Sequence, residues 1–333
     1  MPSDRRSFMR TTLAAGLGLG FGAGLPPVAA RRAEAQEKYP SRPIDFIVTW
    51  GPGGGADTMA RTLAQLAQPI LGVALPVVNV PGGSGNTGMA QVVSGRADGY
   101  TVATYIMDTL ATIPTGLSQY KVDDFAWIAR TQVADSFLFV SGTSQFKTIQ
   151  QLLDHAKANP NKLRVAATGF GTVDDVSIRY LGKRGYPMTV VPYPKPGERY
   201  AAAVGGHAEV LYEQAGDVKS FVQAGQLRPL LIFADKRHPA FKDVPASKEL
   251  GLEIELPQFR SVVAKAGTPP DRLKVLADAF QKAIETPDWK KFADEWYMRP
   301  DSFMGPEPFG PWVREQVRIL DTYVKEFGLV GQK

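Results

Sequence analysis

Ile44-Asp45-Phe46-Ile47-Val48, followed after Thr49 by Trp50-Gly51-Pro52-Gly53-Gly54-Gly55-Ala56-Asp57, decides the fold. The apolar run reads as a buried strand whose entry is held extended by Pro40 and Pro43. The glycines allow a sharp corner. Over 57–71, Met59, Ala60, Leu63, Leu66, Ala67 and Ile70 then recur at helical spacing, with Pro69 and Gly72 as stop signals. The same unit recurs as a strand over 76–80, a second glycine turn Pro81-Gly82-Gly83-Ser84-Gly85, a helix over 86–94 and a strand over 100–105. Strand, turn and helix at this interval imply an α/β protein with a parallel sheet flanked by helices.

The alternation restarts further on. A strand over 137–140, a helix over 148–159 and a strand over 163–167 lead into a third glycine turn, Thr168-Gly169-Phe170-Gly171-Thr172, and a helix over 173–182. Short strands over 189–193, 209–212 and 228–233 follow, with helices between them. A last strand over 259–264 precedes helices over 270–285, 288–296 and 308–327. No period of 20–50 residues repeats, which excludes a solenoid. The expected architecture is two α/β lobes, each a mixed or parallel sheet flanked by helices. Lobe 1 comprises residues 36–140 and 258–333, and lobe 2 comprises 141–257.

Composition narrows the chemistry. A chain of 333 residues without cysteine excludes disulfides, thiolate nucleophiles and Cys-ligated metal, and three histidines (His155, His207, His238) leave little for a His-based site. The formal charge is +5, but the first 35 residues hold five arginines against one Asp and one Glu. The remaining 33 basic and 31 acidic groups nearly balance, so nucleic acid is not an expected partner. Arg5-Arg6-Ser7-Phe8-Met9-Arg10 resembles a twin-arginine export signal, which implies the twin-arginine machinery as a partner. The uncharged run that follows is too rich in glycine for a stable membrane anchor. Ala33-Glu34-Ala35 fits a cleavage site that leaves Gln36 as the new terminus, so 1–35 reads as a signal peptide and the mature chain as periplasmic.

The three glycine turns mark where a ligand would bind. At the carboxyl ends of strands in an open sheet, glycine lets backbone N–H groups approach a ligand, and the following helix N-terminus favours an anion. The enzymatic alternatives fail on residue type: no Gly-Lys-Ser/Thr ending, no complete dinucleotide fingerprint, no G-x-S-x-G and no H-E-x-x-H. No cofactor site is expected. Asp57 reads either as a first-turn carboxylate or as a ligand contact, and Trp50 either as core or as an aromatic wall beside a ligand. Asp174 and Asp175 either cap their helix and pair with Arg179 or present negative charge to a ligand ammonium, where Glu213 could join them.

Read together, these turns resemble the solute-binding proteins of tripartite tricarboxylate transporters, the TctC-like or Bug family. The pieces are Tyr39-Pro40-Ser41-Arg42-Pro43-Ile44, the first glycine turn through Asp57, Val80 to Asn86, Ala97-Asp98-Gly99-Tyr100-Thr101, Val191-Pro192-Tyr193, Gly205-Gly206, Ala224 to Arg228, Asp243-Val244-Pro245 and Ala266 to Pro270. Their order and spacing carry the resemblance. It implies a periplasmic binding protein that closes two lobes over a small organic carboxylate, delivers it to membrane permease subunits and performs no covalent chemistry, with a monomer as the default. Carried over by position, it points to Gly54, Gly55 and Asp57 in the first turn and Thr168, Gly171 and Thr172 in the third. Trp50 stands where the family has phenylalanine, with Ser84 and Gly85 in the neighbouring turn and Tyr193 beyond. Departures at Asp174, Asp175 and Glu213 suggest an acidic far end suited to a zwitterion. The alternatives are an exported carboxylate isomerase or lyase using Asp57, Asp174 or Glu213 as base, or the ligand-binding partner of a membrane sensor.

Overall fold

The structure, a computed structural model, describes residues 38–329. The leader with its arginine pair and cleavage site lies outside the described residues. The strands are β1 (Asp45–Val48), β2 (Val77–Asn79), β3 (Thr101–Ile106), β4 (Phe125–Ala134), β5 (Ser136–Ser141), β6 (Arg164–Ala167), β7 (Thr189–Pro192), β8 (Val210–Gln214), β9 (Leu227–Ile232) and β10 (Gln258–Lys265). The helices are α1 (Gly55–Leu71), α2 (Asn86–Ser94), α3 (Met107–Ala111), α4 (Ile149–Ala158), α5 (Val173–Lys183), α6 (Pro196–Val204), α7 (Lys219–Gln223), α8 (Pro270–Ile284), α9 (Pro287–Glu295) and α10 (Pro306–Phe327).

The strands form two five-stranded sheets, one in each lobe, ordered β2-β1-β3-β10-β4 and β7-β6-β8-β5-β9. In the first, β1 runs parallel to β2 and β3, while β10 pairs antiparallel to β3 and β4. In the second, β6 is parallel to β7 and β8, while β5 pairs antiparallel to β8 and β9. Both sheets are therefore mixed. Each has a parallel half whose strand-to-helix corners face the same way, and an antiparallel half that ties the lobes together.

Three features depart from the sequence reading. Strand β4 was not expected. Nine of its ten residues are buried, so it lacks the alternation that marks a half-buried strand, and Arg130, Thr131 and Gln132 interrupt its apolar run. β5 joins the second sheet, pairing with β8 and β9, so the chain changes sheet at Asp135. Helix α1 also starts two positions earlier than expected, at Gly55. Pro69 sits within its last turn, and Gly72 ends it in the left-handed conformation (φ 71°), its N–H donating to the Gln68 carbonyl.

Packing follows the apolar faces. Met59, Ala60, Leu63 and Ala67 of α1 are fully buried, and α1 packs on α8 and the first sheet. Helix α10 spans both lobes, lying on β4 at one end and on α5 further along. Its Phe309 is fully buried, with ring centroids 5.3 Å from Trp127 and 6.2 Å from Phe259. Near its end, Phe327 meets Tyr180 of α5 at 6.0 Å. Phe309→Ala should therefore cost about 3–5 kcal/mol, the usual penalty for emptying a buried aromatic site. Urea unfolding checks this; a loss below about 1 kcal/mol would show that α10 contributes little to the core.

Candidate functional site

Where the carboxyl ends of β1, β6 and β8 meet, the two lobes close on a cavity of about 30 Å³. The first lobe contributes Trp50, the opening turn of α1, Asp108 of α3, and Gln258 and Arg260 of β10. The second contributes Thr168, Pro196, Arg199, Glu213, Gln214 and Asp217.

Glycine at the start of α1 is required by contact. A Cβ on Gly54 would come within 2.8 Å of Pro196 Cγ, and one on Gly55 would overlap the Asp217 carboxylate and the Arg260 guanidinium. The first turn of α1 is thus the surface against which the second lobe closes.

Two buried ion pairs border the cavity. Arg199 donates to Glu213 Oε2 from Nε (3.1 Å) and Nη2 (2.6 Å), and to the Tyr193 carbonyl from Nη1 (2.9 Å). Burial works against its charge, but the Glu213 carboxylate outweighs this and raises the Arg199 pKa. Between lobes, Arg260 Nη2 donates to Asp217 Oδ2 at 2.5 Å and to Gln214 Oε1 at 3.2 Å. Asp108 makes a second bridge between lobes: it accepts from Gln258 Nε2 at 2.6 Å and from the backbone N–H of Val173, the first residue of α5, at 3.2 Å. Burial, reinforced by the Asp174 charge, lifts the Asp108 pKa well above the ordinary carboxylate value.

Several buried polar atoms on residues that line this cavity have no hydrogen-bond partner among the described residues. They are Arg260 Nε and Nη1, Trp50 Nε1, Tyr200 Oη and Asp217 Oδ1. Buried polar atoms of this kind are costly when left unpaired.

Of the residues singled out from sequence, Trp50, Gly54, Gly55, Thr168 and Glu213 line the cavity. Asp57 does not. Its carboxylate accepts from the Gly53 N–H and Asn79 Nδ2, both at 3.0 Å, and pairs with Arg61 at 2.9 Å. Burial opposes ionisation there, but Arg61 and the two N–H donors hold its pKa below the ordinary value. Asp175 is engaged in the same way, accepting from the Gly171 N–H at 2.9 Å and Arg179 Nε at 2.8 Å. Asp174 accepts from Thr168 N (2.7 Å) and Oγ1 (2.5 Å). Both carboxylates thus stabilise their own turn.

Thr172 Oγ1 closes that turn onto the Gly169 carbonyl at 2.7 Å, and Gly171, at φ 68°, packs against Thr115 and Leu117. Ser84, itself left-handed at φ 52°, lies across from Gly169, and Gly85 is pressed against Thr109. Tyr193 contributes its carbonyl to Arg199. Arg199, Arg260, Asp108, Asp217 and Gln258 were not singled out. Arg260 sits within an otherwise ordinary apolar strand, and its carboxylate partner is 43 positions away. Among the described residues no group of three His, Asp or Glu is placed to hold a metal ion, and no helix is long and apolar enough to cross a membrane.

The family model described as the tripartite tricarboxylate transporter family receptor, TctC, matches residues 59–318. The chain belongs to this family. A relative from Cupriavidus necator, described as a UPF0065 protein in the gbd 5′ region, is 31% identical over 91% of this chain and 93% of its own length. A solved structure described as a periplasmic transporter is 28% identical, with a TM-score of 0.81 over 88% of this chain and 99% of its own. MatC from Rhodopseudomonas palustris, solved with bound malate, shares the fold at 23% identity, with a TM-score of 0.80 over 86% of this chain and 100% of its own.

In this TctC-family chain, burial is the largest cause that pushes the Asp174 carboxyl up to about 6, against hydrogen bonds from Thr168 and with help from the Glu213 charge. A group whose folded pKa exceeds its unfolded value adds stability that is complete below the unfolded pKa and lost as pH rises through the folded one. Asp174→Asn should therefore gain melting temperature relative to wild type as pH rises from about 4 to about 7. Thermal scans across that range check the sign; a variant that loses ground with rising pH would contradict it.

Proposed function

We propose that this chain is a periplasmic receptor that captures a small organic carboxylate between its two lobes and hands it to a membrane permease of the tripartite type. The observation that carries this reading is the cavity between the lobes, where the N-terminus of α1 meets the buried Arg260–Asp217 pair. Family membership supports it, as does the malate held by MatC. The proposal extends to export through the leader over residues 1–35 and to a monomeric carrier. It takes the lobes as residues 36–135 with 258–333 and residues 136–257. Capture and release need donors held in place and a joint that opens, and neither requires a nucleophile.

Thermal-shift measurement on chain that has been unfolded and refolded to strip carried ligand tests the reading, using mono-, di- and tricarboxylates and amino acids. A ligand at 1,000 times its Kd adds about 4 kcal/mol, which raises the melting temperature by several degrees. The expected result is a hit among the acids that is recovered chemically unchanged; conversion of the ligand, or no hit at all, would contradict the reading. Gly55→Ala, whose added methyl overlaps Asp217 and Arg260, should weaken that binding at least about tenfold while far-UV dichroism stays native.

A further inference from the structure

Asp108 and Asp174 come to the junction from opposite lobes. Asp108 stands on α3 of the first lobe, and one of its oxygens accepts from the N–H of Val173 at 3.2 Å. Asp174 is the next residue along α5 of the second lobe. The other Asp108 oxygen accepts from Gln258 Nε2 at 2.6 Å, and Asp174 closes its own turn through Thr168. Both aspartates are 2% exposed. Neither has a cation of its own among the described residues, because the nearby guanidiniums are committed, Arg199 to Glu213 and Arg260 to Asp217.

The other charged and titratable groups around Asp108 do not supply that cation. On α5, Asp175 is turned to the Gly171 N–H and to Arg179. β8 brings Glu213 and the Tyr212 hydroxyl, which lies against Ser177 Oγ. On β3, the Tyr105 ring lies against Phe125 and Trp127. The turn over 83–85 holds no ionisable residue. Helix α10 also packs on α3, but its ions pair with one another or with Asp123, or stand exposed. Two carboxylates placed together out of water, without a cation, do not both stay ionised. Burial accordingly raises both, Asp174 to about 6 and Asp108 well above the ordinary value, with the Asp174 charge adding to the effect on Asp108.

We infer that closing the lobes takes up a proton from solvent at the Asp108–Asp174 pair and that opening returns it, so that the receptor holds a carboxylate more tightly in acid. This rests on the receptor reading above and adds its regulation by pH. The bond from Val173 to Asp108 joins the lobes and is lost when they part, which returns Asp108 to water, where it ionises. The closed form thus binds more protons than the open one. Closure is fully favoured below the ordinary carboxylate pKa and weakens as pH rises through the raised one. Protonation of the bound acid itself would act in the opposite direction, since acid would then remove the charge that is captured. Opening at the membrane releases proton and carboxylate together.

Titration calorimetry of the refolded full chain with malate, succinate, adipate and benzoate tests the inference, following whichever binds most tightly. Its affinity should fall as pH rises from about 6 to about 8, by up to about tenfold per pH unit, the linkage of one proton. Repeating the titration at one pH in buffers of different ionisation heat should show net uptake approaching about one proton per acid bound. Asp108→Asn cannot ionise and should flatten the pH slope, whatever it does to the affinity itself. An unchanged slope in that variant would overturn the inference. Should it fail to fold, wild-type chain decides alone: proton release or no exchange, with affinity level or rising with pH, would overturn the inference and leave the receptor reading standing. Binding of none of the four acids at any pH would overturn both.

Discussion

Buried charge at the junction of the lobes is the constraint on which the rest of the structure depends. Arg260 of β10 reaches across to Asp217, and within the second lobe Arg199 lies along Glu213, with side chains of both pairs almost out of solvent. Charges in such a place persist only when paired and hydrogen-bonded. The pairing dictates several otherwise unrelated details: glycine at 54 and 55, so that Pro196, Asp217 and Arg260 can close on α1; Gln214 turned toward Arg260; and the Tyr193 carbonyl turned toward Arg199. Burial and the neighbouring Glu213 charge also lift the Asp217 carboxyl to about 6 despite the opposing pull of Arg260. The site is therefore held together by paired charges.

The backbone crosses between the lobes at two neighbouring places, while one apolar cluster that includes Tyr105, Leu138, Val173 and Phe309 runs through both lobes. The chain passes between lobes at Asp135, between β4 and β5, and returns into β10 at Gln258, which lies opposite Ala134 in the ladder. Two strands crossing side by side make a hinge, because a small dihedral change in each rotates one sheet against the other while the ladders stay intact. Around the hinge sit contacts of different kinds. The Asp108 carboxylate accepts from the first turn of α5, Trp296 lies against Gly216, and α10 runs from β4 to α5. The contacts at the cavity are polar, whereas those of α10 with β4 and α5 are largely aromatic.

The parallel half of each sheet was legible because strand, glycine turn and helix are local signals. Phe46 to Val48, the turn through Gly55 and the apolar stripe of α1 lie within one short stretch. The antiparallel half was less legible. β4 is buried nearly throughout and has no alternation, and β5 could be assigned to the second sheet only by its partners, which are 70 or more residues away. The site divides in the same way. Trp50, Gly54, Gly55, Thr168 and Glu213 sit at strand ends or glycine turns, and sequence pointed to them. Asp57 and Asp175 carried the right chemistry but are engaged by neighbours four residues away on their own helices and by the turns they close. Arg260 and Asp217 acquire their roles only through tertiary contact, and nothing near either residue in the chain marks it.

Closure around a ligand is tested most directly by measuring the distance between the lobes. The chain has no cysteine, so the exposed pair Gln65→Cys on α1 and Glu198→Cys on α6 can carry spin labels at unique positions flanking the cavity. Pulsed electron–electron resonance on stripped chain should show a broad distribution reaching distances longer than the closed structure allows. A saturating carboxylate found by the thermal-shift screen should collapse it to the short component. Identical distributions with and without ligand would contradict closure across the Arg260–Asp217 junction.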